Sequence, residues 1–149
     1  MAIASRLKWF LDVNRARYDV LPACAEKSDV CSDDQFVESR LFHDAHGYVM
    51  VVHPASHKIA MPALEALLGR PVHPARAREL RDIFFDCPDG VAPPLGPAYG
   101  IPTVVDDRLG QEGDLYFRAG DAEHWIHMTA DEFEGLVADA PHGSVSTAS

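Results

Sequence analysis

The sequence predicts an α+β fold, a single domain in which helices pack on a mixed β-sheet. Two strand patterns, at about 36–43 and 47–53, are separated by the short turn DAHG and so predict an antiparallel pair. Helix patterns follow, then a long loop, three short strand patterns and a last helix. Because strands and helices do not alternate regularly, a doubly wound parallel sheet is disfavoured.

A capped helix and a strand precede the strand pair. Ser5 can cap a helix whose apolar residues recur at spacings of three and four. The segment YDVLP, Tyr18 to Pro22, predicts a strand that ends at the proline. The polar, irregular stretch at 23–34 predicts a loop that leads into the pair.

Two helices and a long loop occupy the middle of the chain. Pro62 and Gly69 frame the first helix, PALEALLG. A second helix is predicted at about 75–84, with arginines beside its apolar face. The segment DCPDGVAPPLGPAYGIP contains too many glycines and prolines for a regular element. It therefore predicts a long ordered loop, here called the glycine-proline loop.

Three strands and a helix complete the predicted domain. The strands are TVVDD, LYFRAG and HWIHM, and the helix begins at Thr129, where Glu132 completes a capping box. From Pro141 the sequence is small and polar and is expected to fray. These patterns predict a folded domain over 1–140 and a flexible polar tail over 141–149.

The composition is that of a soluble globular protein. The chain has 149 residues, of which 47% are hydrophobic and 24% are charged, and this length suits one domain. No apolar run approaches the roughly 18 residues that a membrane span needs, and the N-terminal segment lacks the apolar core of a signal peptide. A cytoplasmic protein without a membrane partner is therefore expected.

The formal net charge of −10 limits the expected partners. An acidic protein repels nucleic acid at long range, so DNA is not an expected partner. Basic residues nevertheless cluster near the N-terminus and in the predicted helix at 75–84. Any RNA contact would therefore be local and brief.

No metal site is predicted from the cysteines or histidines. The three cysteines form no CxxC pair of the kind that zinc sites use. A proline between His53 and His57 disfavours a shared helical face, and His124 and His127 point to opposite faces of a strand. A phosphate-binding loop and a dinucleotide fingerprint are also absent from the sequence.

One predicted strand carries an unusual pair of charges. Alternation along 36–43 places Glu38 and Arg40 on one face between Phe36 and Phe42. A surface ion pair, which contributes little to stability, is the common explanation for such residues. A ligand pocket that uses both charges is the alternative.

The glycine-proline loop is a second candidate for function. Gly90 and Gly96 lack a Cβ, so their N–H groups could approach a ligand carbonyl or a developing oxyanion. A structural crossover made rigid by proline explains the composition equally well. The residues of the loop leave both interpretations open.

The order of several motifs resembles one protein family. An apolar strand ending in VVHPASHKIAM precedes a helix ending at Gly69, the loop GVAPPLG, and then VVDD and YFRAGDAEH. Over roughly residues 5–138, this order is similar to that of the YbaK and prolyl-tRNA-synthetase-associated domain family, the trans-editing aminoacyl-tRNA deacylases. The resemblance implies an α+β hydrolase, free of metal and cofactor, that cleaves the ester of a mischarged tRNA. The amino acid is typically small, on a proline or alanine tRNA. The implied partners are aminoacyl-tRNA, bound transiently, and an aminoacyl-tRNA synthetase.

The resemblance also implies a set of site residues. The family's G-x-x-x-P loop, whose backbone holds the aminoacyl carbonyl, falls on Gly90 to Pro94. The Ala-Gly turn of the opposite wall falls on Ala119 and Gly120, and His124 lies near a position that some members fill with a functional histidine. The resemblance thus implies Pro93, Pro94, Ala119, Gly120 and His124 as substrate-binding residues, and the composition of the glycine-proline loop adds Gly96.

The family's best-known residue, a lysine in a pattern like A-K-x-x-x-L, is missing here. Its place in VESRLF falls on Glu38, a carboxylate that would repel the terminal phosphate of a tRNA. No lysine lies between Lys27 and Lys58, so a shift of register does not restore one.

Two functions follow from this replacement. In an active deacylase, Arg40 would bind the phosphate, Glu38 would position a water as general base, and Gly90 would hold the carbonyl. The terminal hydroxyl of the substrate could instead move the proton, with the pocket selecting small side chains by size. Alternatively, the domain has lost its activity and binds an amino acid, a nucleotide-like ligand or a protein.

Overall fold

The computed structural model describes residues 4–22, 30–87, 92–121 and 123–149. The α-helices in these ranges are α1 (Ser5–Val13), α2 (Met61–Leu68), α3 (Ala77–Ile83) and α4 (Ala130–Leu136). The strands are β1 (Asp19–Pro22), β2 (Val37–Asp44), β3 (Gly47–Pro54), β4 (His57–Ile59), β5 (His73–Pro74), β6 (Thr103–Asp106), β7 (Asp114–Arg118), β8 (His124–Thr129), β9 (His142–Gly143) and β10 (Ser146–Ala148). Two short 3-10 helices span Gly96–Tyr99 and Asp107–Gln111.

The strands of the described residues form three sheets. Five strands lie in the order β5–β2–β3–β6–β9, three in the order β1–β8–β7, and two as β10–β4. β2 pairs antiparallel with β3, as the short turn predicts, whereas β6 is parallel to β3 and β9 is parallel to β6. Helices pack on this mixed sheet, so the predicted α+β class is confirmed.

The hairpin of β2 and β3 positions the charged residues of β2. β3 is buried from Val49 to Pro54, as expected for a strand covered on both faces. Gly47 in the turn has a φ of 126°, which favours glycine. The register places Glu38 opposite His53 and Arg40 opposite Val51.

Alternation along β2 divides its side chains between two cores. Val37 and Leu41 belong to the core formed with α1, α4, β7 and β8. Phe42 belongs to the core that α2 covers. Glu38 and Arg40 share the face of Phe42 but are exposed. The two charges therefore lie on the open part of a face whose other end is packed.

Helix α2 has the boundaries that its sequence predicts. Pro62 lies in the first turn, where its missing N–H costs no helical hydrogen bond. Gly69 follows the last turn in the left-handed conformation, with φ of 74°, and its N–H donates to the Glu65 carbonyl at 2.8 Å. Both ends of α2, which follows β4 closely in the chain, are thereby fixed by its own sequence.

The C-terminal segment differs from the flexible tail expected over 141–149. β9 pairs with β6, and β10 pairs with β4. Val145 is only 1% exposed. Asp106 accepts hydrogen bonds from the Val145 N–H at 3.1 Å and from the Ser146 hydroxyl at 2.7 Å. One apolar side chain and two hydrogen bonds to a buried carboxylate thus dock a segment whose composition predicts fraying.

Candidate functional site

A cavity of about 390 Å³, which we call cavity A, opens beside β2. Its lining comes from β2, from the region of β5 and α3, from the glycine-proline loop and from the end of β7. The lining residues are Phe36, Val37, Glu38, Ser39, Arg40, Leu41, Pro74, Ala75, Leu80, Ala92, Pro94 and Arg118.

Cavity A exists because β2 is an edge strand along part of its length. β5 pairs with β2 at Phe42 and His43. From Glu38 to Leu41, no described strand pairs with this edge. The glycine-proline loop approaches it instead, and the Ser39 hydroxyl donates a hydrogen bond to the Ala92 carbonyl at 3.0 Å. The cavity is the space between the edge and the loop.

Three charged side chains among the described residues line cavity A: Glu38, Arg40 and Arg118. The sequence predicts the first two as neighbours on one strand face, about 7 Å apart along the strand. It does not predict Arg118, although this residue directly precedes the Ala-Gly turn. Arg118 enters the cavity because β7 passes the start of β2, where Phe36 forms a parallel bridge with Tyr116. The cavity therefore combines two guanidinium groups with one carboxylate.

The loop and the turn that the resemblance assigns to opposite walls contact each other. Pro93 and Pro94 are both buried, and of the two Pro94 lines cavity A. Gly120 has a φ of 93°, and a Cβ there would lie 2.6 Å from Ala4 Cβ, 3.1 Å from Cys87 Sγ and 3.5 Å from Pro93 Cγ. Both the backbone and the space therefore require glycine at position 120.

Two other residues of the predicted set are buried in packing contacts and do not line cavity A. Ala119 is fully buried, and its carbonyl accepts the Ala4 N–H at 2.9 Å. A Cβ on Gly96 would lie 2.0 Å from Thr103 Oγ1 and 2.8 Å from the Ile101 carbonyl oxygen. In the structure these two residues therefore make internal packing contacts.

His124 is held by a local turn and does not line cavity A. Asp121 Oδ1 accepts the His124 backbone N–H at 2.8 Å, and Asp121 Oδ2 lies 3.0 Å from the ring Nδ1. The ring is therefore oriented by the carboxylate three residues earlier. Gly90, the remaining predicted residue, lies outside the described residues.

A second cavity of about 340 Å³, cavity B, shares Glu38, Arg40 and Pro74 with cavity A. Its other lining residues are Phe42, His53, His57, Lys58, Ile59 and Met61. Lys58, which lines the cavity from β4, is not predicted by the sequence patterns. The one available signal is that Lys58 is the first lysine after the position where the resemblance expects one.

His53 lies opposite Glu38 at the wall of cavity B and is 4% exposed. Burial lowers the pKa of His53 below its usual value, although the Pro54 carbonyl and Glu38 act in the opposite direction. The neutral ring donates its Nδ1–H to the Pro54 carbonyl at 2.8 Å, so Nε2 is an acceptor. His53 is thus a neutral side chain at pH 7, not a cation.

The described residues do not favour a cysteine nucleophile, a metal site or a membrane-spanning helix. Burial raises the pKa of the Cys87 thiol to about 12, so it is protonated at neutral pH and is a poor nucleophile. No group of three or more His, Cys, Asp or Glu residues in these ranges is arranged to hold a metal ion. None of the helices described here is long and apolar enough to cross a membrane.

Residues 19–136 match the aminoacyl-tRNA editing domain family. The chain belongs to this family. The matched range contains every lining residue of both cavities, so both lie within the editing domain. No curated protein matches the chain.

Solved structures share the fold of this editing domain at low sequence identity. A candidate signal transduction protein from Marinobacter aquaeolei VT8 aligns with a TM-score of 0.80 and 22% identity, over 95% of this chain and 30% of that one. This chain thus spans less than a third of that protein's length. A hypothetical protein, APE2540, aligns at 0.82 and 21% identity, over 96% and 100% of the two chains. A candidate trans-editing enzyme for prolyl-tRNA synthetase aligns at 0.74 and 18% identity, over 97% and 96%.

Proposed function

We propose that this editing domain hydrolyses, in trans, the ester of a tRNA mischarged with a small amino acid, and that cavity A is its active site. The observation that carries the proposal is the meeting of β2 and Pro94 of the glycine-proline loop in one cavity of about 390 Å³. This volume lies in the range of small-molecule sites. Family membership supports aminoacyl-tRNA as the substrate class and as a transient partner, and an aminoacyl-tRNA synthetase would supply it.

The lining of cavity A favours a small amino acid. Its apolar part is formed mostly by short or branched side chains and two prolines, with Phe36 as its one aromatic member among the described residues; the short or branched residues are Val37, Leu41, Ala75, Leu80 and Ala92. Such a pocket excludes a side chain that is larger than its space, but it discriminates a single methylene by only about 1–3 kcal/mol. We therefore expect selection by size, with large aromatic amino acids rejected.

Glu38 and Arg40 would have different roles in hydrolysis. A water oriented by Glu38 adds to the ester carbonyl while its proton passes to the carboxylate. The bond from the carbonyl carbon to the ribose oxygen then breaks, and that oxygen takes a proton to leave as a hydroxyl. Arg40 would hold the phosphate that the family's lysine meets, and Arg118 adds a second cation to the cavity. The resemblance assigns the Gly90 N–H to the carbonyl oxygen.

A binding module without catalytic activity is the second candidate. The observation that favours it is Glu38, which brings a carboxylate to the place of the family's lysine and lines both cavities. A carboxylate there repels the phosphate that a lysine would attract. In this alternative, cavity A binds an amino acid or another small molecule without turnover.

Deacylation of a panel of mischarged tRNAs by the purified protein tests these candidates. The panel places glycine, serine and phenylalanine on proline and alanine tRNAs and alanine on the proline tRNA, and each is assayed with the wild type and with Glu38→Lys. Release of a small amino acid by the wild type, with phenylalanine retained, supports the deacylase. Release by Glu38→Lys alone supports the binding module. No release by either protein overturns the proposal.

A further inference from the structure

We propose that cavity B is a binding site for the phosphate group of a nucleotide, with Arg40 and Lys58 as its cations. Arg40 and Pro74 are shared with cavity A, but Lys58 and His57 line cavity B alone. This proposal rests on the proposed function only where it names an RNA end as one source of the nucleotide.

Arg40 and Lys58 reach cavity B from two different sheets. Arg40 lies on β2, and Lys58 lies on β4, opposite Thr147 of β10. Both side chains are exposed, and neither makes a hydrogen bond or ion pair within the described part of the chain. The chain has 23 acidic residues against 13 basic ones. Even so, Arg40 and Lys58 face the cavity without an ion-pair partner among the described residues, and both are therefore available to an anionic ligand.

The charges around cavity B favour an anion. Glu38 is the one carboxylate among its described lining residues. Asp106 lies near it but is fully buried, and its oxygens already accept hydrogen bonds from within the fold. Glu38 also lines cavity A, whereas Lys58 does not. The two cations outnumber the one carboxylate in this lining, so a phosphate in cavity B would meet a net positive charge.

His57 connects β4, which contributes to the lining of cavity B, to the five-stranded sheet. Its Nδ1 lies 3.0 Å from Ser146 Oγ, and the Ser146 hydroxyl donates to Asp106 Oδ2 at 2.7 Å. Because the hydroxyl proton points to Asp106, the Ser146 oxygen accepts the Nδ1–H of His57. The ring is thereby held in one orientation. The same contacts anchor β4, which carries Lys58, to Asp106 at the end of β6.

The remaining lining suits a nucleoside better than a free phosphate. Phe42, Ile59, Met61 and Pro74 form an apolar wall beside the two cations. The volume of about 340 Å³ lies near the lower end of the range for small-molecule sites. A nucleotide matches both parts, because its base is planar and largely apolar at its faces and its phosphate is anionic.

Equilibrium binding of adenosine 5′-monophosphate to the full chain tests the proposal. Calorimetric titrations at low salt compare the wild type with Lys58→Gln and Arg40→Gln. Lys8→Gln is the matched control, because Lys8 pairs with Asp12 on α1 and lines neither cavity. We expect about fivefold to tenfold weaker binding for each cavity variant and no change for Lys8→Gln. Inorganic phosphate should compete with the nucleotide.

Three results would overturn the proposal: no binding by the wild type at millimolar nucleotide, equal affinity for uncharged adenosine, or wild-type affinity in Lys58→Gln. The trinucleotide cytidine-cytidine-adenosine distinguishes two sources of the ligand. Tighter binding than the monophosphate assigns the site to an RNA 3′ end, and equal binding assigns it to a free nucleotide. These titrations require no turnover, so a failure of deacylation in cavity A and a failure of binding in cavity B are separate results.

Discussion

Replacing Asp106 by asparagine should release the C-terminal segment while leaving the rest of the sheet folded. Asp106 is 0% exposed. Its Oδ1 accepts the Arg108 N–H at 2.9 Å, and its Oδ2 accepts the Val145 N–H at 3.1 Å and the Ser146 hydroxyl at 2.7 Å. Asparagine has nearly the same shape but one oxygen. With that oxygen toward Arg108, the amide nitrogen faces the Val145 N–H, and two donors meet.

The expected magnitude follows from this one lost acceptor. A buried N–H without a partner costs about 1–3 kcal/mol. The Ser146 hydroxyl can reverse and accept from the new amide, so it adds little. Because 1.4 kcal/mol is a factor of ten, the Val145 amide should exchange about fivefold to 150-fold faster. The free energy of global unfolding should fall by no more than this amount, since the segment can detach locally.

Amide hydrogen exchange measured by NMR checks this expectation. Asp107→Asn is the matched control, because Asp107 is the neighbouring carboxylate and is exposed. The Val51 amide, in the centre of β3, serves as the reference and should be unchanged. Equal exchange at Val145 in the wild type and in Asp106→Asn would refute the anchoring role. A parallel increase at Val51 would show global destabilisation in place of local release.

Four further sets of measurements test the site and its surroundings. Arg40→Ala should lower deacylation and Arg40→Lys should retain part of it, because one cation still meets the phosphate; unchanged turnover in Arg40→Ala would exclude that role. Glu38→Gln should slow turnover if the carboxylate is the general base, whereas faster turnover would show that it only repels. Gly96→Ala should lower the free energy of unfolding by about 1–3 kcal/mol, because its Cβ would lie 2.0 Å from Thr103 Oγ1, with the activity of the folded protein preserved; a larger loss of kcat than of stability would indicate substrate binding at Gly96. Burial acts to lower the pKa of His127, but its hydrogen bonds to two aspartates outweigh this and raise the pKa. Its stabilisation is therefore complete below the unfolded pKa of about 6.5 and is lost as pH rises through the higher folded value. The Tm difference between wild type and His127→Gln should be largest near pH 5.5 and shrink toward pH 9, and a constant difference would contradict the assignment.

Local sequence patterns were sufficient to predict the two paired strands and the strand face that carries Glu38 and Arg40. The period of two in a strand places Glu38 and Arg40 together whatever surrounds them. The short turn ending at Gly47 brings the next strand back alongside. Pro62 and Gly69 bound α2 for reasons that lie in their own backbones. The α+β class and the editing-domain family follow from the order of such local signals.

The residues that meet across the chain could not be predicted in this way. Arg118 lines cavity A because β7 passes the start of β2, and Lys58 lines cavity B from β4, which β10 pairs with. Gly96 has the composition of a ligand-binding loop around it but packs against Thr103. Each of these placements depends on a partner that is distant in sequence, so no window of neighbouring residues contains the information.

The C-terminal segment gives the physical reason for this division. PHGSVSTAS contains little that favours a strand, and nothing within it holds it in place. Its two short strands exist because β6 and β4 present open edges and because Asp106, whose carboxylate is 40 residues from Ser146, presents a buried acceptor. Backbone and side-chain preferences act between near neighbours, so the local structure that they favour can be predicted from the sequence. An open edge or a buried acceptor arises only after distant segments have packed. Lys58 and Arg118 likewise lie beside the charges of β2 only because distant segments of the chain contact each other.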